Sequence, residues 1–123
     1  MAIVEDDAPV RTALRRLLRS AGYAVVTFDG GDEFISSLAH VRPDCVVIDL
    51  VMPAMNGVAV LERILGLGHS CPAIVITGNV DSKLDARAFD AGAKAVLRKP
   101  VDDQALLDAL AAVFLPPATN DGT

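Results

Sequence analysis

Five short apolar runs punctuate the chain: AIV at 2–4, AVVTF at 24–28, CVVI at 45–48, AIVI at 73–76 and AVL at 95–97. Most are unbroken and rich in Val and Ile, the pattern of strands covered on both faces. Between them the period changes to that of helices. Val10, Ala13, Leu14, Leu17, Leu18 and Ala21 recur at i, i+3, i+4, i+7, i+8 and i+11, while Arg11, Arg15, Arg16 and Arg19 fall on the other side. Gly22 ends that helix. Phe34, Ile35, Leu38 and Val41 form a second stripe before Pro43; Leu61, Ile64 and Leu65 form a third before the glycines at 66 and 68. Leu106, Leu107, Leu110, Val113 and Phe114 make the last. The segment DSKLDARAFDAG, 81–92, is helical but thinly apolar, with Leu84, Ala88 and Ala91 as its inner face. It is expected to be the least firmly docked helix, and the one that moves.

Strand and helix alternate five times. Right-handed crossovers fold such a chain into a parallel sheet with helices on both faces, a three-layer α/β/α sandwich. A length of 123 residues suits one domain with a core of its own. We expect that domain over 1–115, and a flexible tail or the start of a linker over 116–123, where the chain reads PPATNDGT. A net charge of -5 leaves no electrostatic footprint for nucleic-acid phosphates, so direct nucleic-acid binding by this domain is not expected. The apolar runs are far shorter than the roughly 20 residues of a membrane span, and MAIVEDD lacks the regions of a signal peptide. The expected compartment is the cytoplasm, with no membrane partner. Cys45 and Cys71 are too few for a disulfide framework and read as buried structural thiols; Cys71 and His69 are two ligands, too few for a metal site.

The chemistry lies where the strands end. In open α/β sheets the ligand crevice forms beyond the carboxyl ends of the strands. The first run is followed by Glu5, Asp6 and Asp7, the third by Asp49, the fourth by Thr77 and Gly78, and the fifth, after Arg98, by Lys99 and Pro100. A single acid there is ordinary strand-end punctuation. Acids, a hydroxyl and an ammonium together on one edge are less easily accidental. Crowded carboxylates raise one another's pKa unless a cation sits among them, and an all-oxygen site suits magnesium. Magnesium would neutralise a phosphoryl group, Lys99 would add a point charge, Thr77 would donate a hydrogen bond, and Asp49 would be a carboxylate nucleophile forming an aspartyl phosphate.

The acid cluster of IVEDD, DLVMPAMNG at 49–57, ITG at 76–78 and RKP at 98–100 resemble, in order, the receiver domain of two-component response regulators. The resemblance runs from residue 2 to about residue 115. It implies a (βα)5 flavodoxin-like, doubly wound fold and a signalling domain rather than an enzyme. It implies that Asp49 accepts a phosphoryl group from a sensor histidine kinase or phosphotransfer protein. It further implies that Glu5 and Asp6 are the metal-binding pair, with Arg11 five residues past Asp6 as in the family pattern, and Asp7 outside that pair. Val51 would lend its backbone carbonyl to Mg2+, Thr77 would be the switch hydroxyl, Gly78 the small residue facing the phosphoryl group, and Lys99 its lysine contact, with Lys99–Pro100 cis. Val51 and Asn79 match the positions flanking the approach of water to the phosphoryl group. One departure is plain: where the family often has an aromatic residue three before the lysine, Val96 stands.

The resemblance also implies an output, transcription, and a homodimer formed on phosphorylation through the 81–98 region. Two other classes stand beside this one. A phosphatase that uses an aspartyl phosphate usually has an acid two residues past its nucleophile, where Val51 stands. A phosphorylation-independent receiver-like module would be expected to lack one of the key groups, and none is missing. The blander assignments are Asn56 as a helix N-cap, Asp102 and Asp103 as capping and charging the last helix, Met52 and Met55 as packing, and the α-helical arginines as a solvated face.

Overall fold

A computed structural model of the protein describes residues 1–53, 55–69, 71–78 and 81–114; the tail expected at 116–123, and Asn79, lie outside them. The elements alternate as β1 (Ala2–Val4), α1 (Ala8–Ser20), β2 (Val26–Phe28), α2 (Gly31–Ser37), β3 (Val46–Asp49), α3 (Gly57–Gly66), β4 (Ala73–Thr77), α4 (Ser82–Asp90), β5 (Ala93–Arg98) and α5 (Asp103–Phe114). All pairings are parallel, in the order β2-β1-β3-β4-β5. The chain therefore winds outward in both directions from the β1–β3 boundary. Leu14 and Leu18 of α1 and Leu106 and Leu110 of α5 pack with Ile3, Val47, Ile74 and Ile76 on one face. Phe34, Val58, Leu61, Ile64 and Ala88, from α2, α3 and α4, pack with Val4, Val46, Ile48 and Val75 on the other.

The unbroken runs belong to the centre of the sheet: every residue of β1, β3 and β4 is buried, whereas β2 and β5 are edges and are only partly covered. Three boundaries differ from the sequence expectation. β2 begins at Val26 rather than at residue 24, because β1 has three residues and pairs only with Val26, Thr27 and Phe28. β5 begins two residues earlier than its apolar run, and a register shift beside Ala73 accommodates the extra length. α2 stops at Ser37, so Val41, expected in its stripe, is 56% exposed; Arg42, the residue before Pro43, is disfavoured in a helix. Leu65 likewise faces solvent, because Val58, Leu61 and Ile64 fill the buried arc of α3.

The helix entries follow the capping chemistry. The Asp7 carboxylate accepts from Val10 N–H, Asn56 from Ala59 N–H, Asp81 from Lys83 and Leu84 N–H, and Asp102 from Ala105 N–H. In α4 Ala88 is the one fully buried residue, so this helix rests on a thin contact. Arg98–Asp85 and Arg87–Glu62 ion pairs tie it to β5 and α3 from outside. The peptide Lys99–Pro100 is cis.

Candidate functional site

The carboxyl ends of β1 and β3 meet at the point where the winding reverses, which is where an open parallel sheet forms its crevice. Glu5 follows β1 and Asp49 ends β3, and both are buried despite their charge. Asp6 is exposed beside them. One carboxylate oxygen from each of these three residues lies within 4.8 Å of the others. Asp7 stands apart as the N-cap of α1.

Lys99 reaches into this group from the turn after β5. Its Nζ lies 2.9 Å from Asp49 Oδ2 and 2.8 Å from Glu5 Oε1. Asp49 Oδ1 accepts from the Val51 N–H at 3.1 Å, and Glu5 Oε2 accepts from the Asp7 N–H at 3.2 Å. Among the described residues Glu5 Oε1, fully buried, has the Lys99 ammonium as its one close partner. One cation thus serves two buried acids. A buried carboxylate that shares its one cation with a second acid, next to an exposed third, is a donor set that fits a hard divalent cation.

The electrostatics bear the marks of that shortage. Burial pushes the Glu5 carboxyl up to about 7, and the charge of Asp49 adds to the rise; Lys99 and the Asp7 N–H act against it. Burial lowers the Lys99 pKa, but contacts with Glu5 and Asp49 outweigh it and hold the ammonium above its ordinary value. A carboxyl harder to ionise in the fold than in the unfolded chain contributes stability that is complete below its ordinary value, 4.5, and is lost as pH rises through about 7. Glu5→Gln mimics the protonated form. Its stability advantage over the wild type, measured in metal-free denaturant titrations, should therefore grow between about pH 5 and pH 8 by up to about 3 kcal/mol. A difference that stays flat across that range would show that Glu5 is already ionised in the fold at low pH.

Thr77, the last residue of β4, is buried, and its carbonyl accepts from Lys99 N–H at 2.9 Å, which fastens the lysine's backbone to the end of β4. Gly78 is exposed; among the described residues a Cβ there would meet Lys99 Cβ at 3.9 Å, an ordinary contact. The Val51 side chain is 52% exposed. Val96 is half-buried against the α4 side of the core. The structure thus brings Glu5, Asp6, Asp49 and Lys99 together, with Thr77, Gly78 and Val51 on the same edge. Helical periodicity assigns Arg11, with Arg15, Arg16 and Arg19, to a solvated face; Arg11 is instead half-buried and turns back to the β1–α1 loop. Its spacing from the acids was the only sequence signal for it.

A parallel five-stranded sheet carries an acid cluster and a lysine at its switch point, and the family model for the response regulator receiver domain matches residues 1–111. The chain belongs to that family. FixJ, a transcriptional regulatory protein of Bradyrhizobium diazoefficiens, is 36% identical over 104 residues, which is 85% of this chain and 51% of that protein. The response regulator MprA of Mycolicibacterium vanbaalenii is 34% identical over 120 residues, 98% of this chain and 52% of that protein. The chain spans about half the length of these relatives. The crystal structure of FixJ-N superposes with a TM-score of 0.85 at 34% identity, covering 95% of each chain. Among the described residues no helix is long and apolar enough to cross a membrane.

Proposed function

We propose that this receiver domain is a phosphorylation-controlled switch in which Asp49 accepts a phosphoryl group from a sensor histidine kinase or phosphotransfer protein. The observation that carries the reading is a buried carboxylate at a strand mouth, held by Lys99 at 2.9 Å beside two further acids. An Asp49 oxygen attacks phosphorus, the P–N bond of the phosphohistidine breaks, and its electron pair leaves with the imidazole, which takes a proton from solvent. Glu5, Asp6, Asp49 and the Val51 carbonyl would hold Mg2+. When bound, the ion supplies positive charge that offsets the phosphoryl oxygens.

Lys99 orients Asp49 and carries the second positive charge; on phosphorylation its ammonium exchanges a carboxylate contact for a phosphoryl oxygen. The Val51 N–H fixes the rotation of the Asp49 carboxylate by holding Oδ1. Thr77 and Gly78 stand at the end of β4, where a hydroxyl and an amide would meet the phosphoryl group and pass its presence to the thinly docked α4. Residues 1–115 act as the receiver unit, 116–123 as tail or linker, and the 81–98 region as the face that pairs on phosphorylation. The domain works as a signalling element rather than an enzyme with a turned-over substrate, and the output it serves is transcription.

Incubation with acetyl phosphate and magnesium, followed by intact mass, tests the reading: one added phosphoryl group is expected, and none would overturn it. Register within the acids has its own test. Asp6→Ala should raise the magnesium dissociation constant by at least about tenfold, whereas Asp7→Ala, which removes a helix cap, should lower thermal stability and leave magnesium affinity nearly unchanged. Equal losses of affinity would place the pair one residue later.

A further inference from the structure

We propose that Arg11 is a positioning residue that sets the Asp6 carboxylate for the metal by clamping the backbone of the acid pair. The inference rests on the magnesium reading above. Arg11 lies in the first turn of α1, a turn that contains no acid. A cation there faces the positive end of the helix dipole, which disfavours it. Among the described residues its guanidinium has no ion-pair partner, although Asp29 and Glu33 line the same recess. Its Nη1 instead donates to the Glu5 carbonyl at 2.8 Å and reaches the Asp6 carbonyl at 3.4 Å.

These two bonds belong to a short loop whose other backbone groups are largely bonded too. Glu5 N–H donates to the Phe28 carbonyl at 3.0 Å, the Glu5 carbonyl accepts from Arg11, the Asp7 N–H donates to Glu5 Oε2, and the Asp7 carbonyl accepts from Arg11 N–H at 2.9 Å. Glu5 is held besides by burial and by Lys99. Asp6 has neither: it is exposed, and no described residue bonds or pairs with its carboxylate. The Cα–Cβ direction of Asp6 is set by the peptide planes on either side of it, and Arg11 bonds the carbonyl of the first and lies 3.4 Å from that of the second. An outer partner that orients a ligand in this way is typically worth 10–100-fold in metal affinity.

The sign of the effect separates positioning from charge. If Arg11 acted through its charge, it would repel a divalent cation and its removal would tighten binding. Positioning requires the reverse. Arg11→Ala and Arg11→Gln, the second keeping more of the stem in case the first folds poorly, should each raise the magnesium dissociation constant about tenfold in a direct titration followed by amide chemical shifts. The maximal rate of labelling by acetyl phosphate should recover at saturating magnesium, since Asp49 and Lys99 are untouched. Unchanged or tighter magnesium binding in a folded variant overturns the proposal, as does a maximal rate that stays low with unchanged affinity. Wild-type protein and Asp49→Asn measured alongside keep the two ideas apart: if the wild type binds no magnesium, or Asp49→Asn binds it as the wild type does, the site reading fails and the proposal falls with it.

Discussion

Asp49→Asn is expected to abolish labelling by acetyl phosphate and to leave the domain folded. The substitution keeps the shape of the side chain and removes both the nucleophilic carboxylate and one ligand of the acid cluster, so no residual slow reaction at this position is expected. Stability is decided by two opposed effects. Removing one acid leaves Glu5 and Lys99 as a matched pair and relieves the repulsion between two buried carboxylates. Against this, Asp49 uses both oxygens, Oδ1 for the Val51 N–H and Oδ2 for Lys99, and an amide has one oxygen to offer. Its NH2 group must face a donor, which costs about 1–3 kcal/mol. The two effects are of similar size, so the urea midpoint should move little in the absence of metal. Labelling of another residue at the wild-type rate, located by peptide mass mapping, would remove Asp49 from the role.

The parts of this molecule that could be read from the chain are those whose signal is local. β3 and β4 are unbroken apolar runs because both faces are covered, and the residue after such a run is at a strand mouth whatever the rest of the fold does. That logic places Asp49 and Thr77, and, with the turn at Pro100, Lys99. What could not be read depends on pairs distant in sequence. The late start of β2 follows from the three-residue length of β1, its neighbour, and the early start of β5 from an irregularity beside Ala73 in a different strand. The exposure of Val41 follows from α2 stopping at Ser37, and that of Leu65 from the side chains that fill the buried arc of α3. The shared ammonium of Lys99 is a contact across 50 residues, and the high pKa of Glu5 arises from burial that no motif reports. Arg11 shows the limit most clearly. Helical periodicity puts it with Arg15, Arg16 and Arg19, but those three are exposed while Arg11 bends back over the N-terminus of its own helix to the loop that carries the acids.

Gly57→Ala should be clearly destabilising, although it replaces glycine with the best helix former at the first residue of α3. Its backbone N–H donates to the Leu50 carbonyl at 2.9 Å, which draws the start of the helix against the end of β3. A Cβ at this position would stand 2.5 Å from the Asp49 carbonyl oxygen and 3.0 Å from Leu50 Cα. Both are backbone atoms, so no side-chain rotation relieves the clash. Either α3 moves out, opening the packing of Val58 and Leu61, or the Asp49 backbone gives way. The helix-propensity and unfolded-state gain from alanine is about 0.5–1 kcal/mol; forcing a methyl group into a closed contact costs about 1–3 kcal/mol and more where only backbone can yield. The steric cost wins, and a net loss of about 2 kcal/mol is expected, read as a lower urea midpoint at unchanged slope. Labelling of Asp49 should slow as well, because the atom displaced belongs to the nucleophile's own residue. Gly66→Ala is the matching control at the other end of α3. Among the described residues no other part of the chain lies within 4 Å of its Cβ position, so only the propensity gain remains, and that variant should be slightly more stable than the wild type. If Gly57→Ala and Gly66→Ala both stabilise the domain, α3 does not press on the end of β3 as the geometry requires, and the seat of Asp49 is looser than these distances describe.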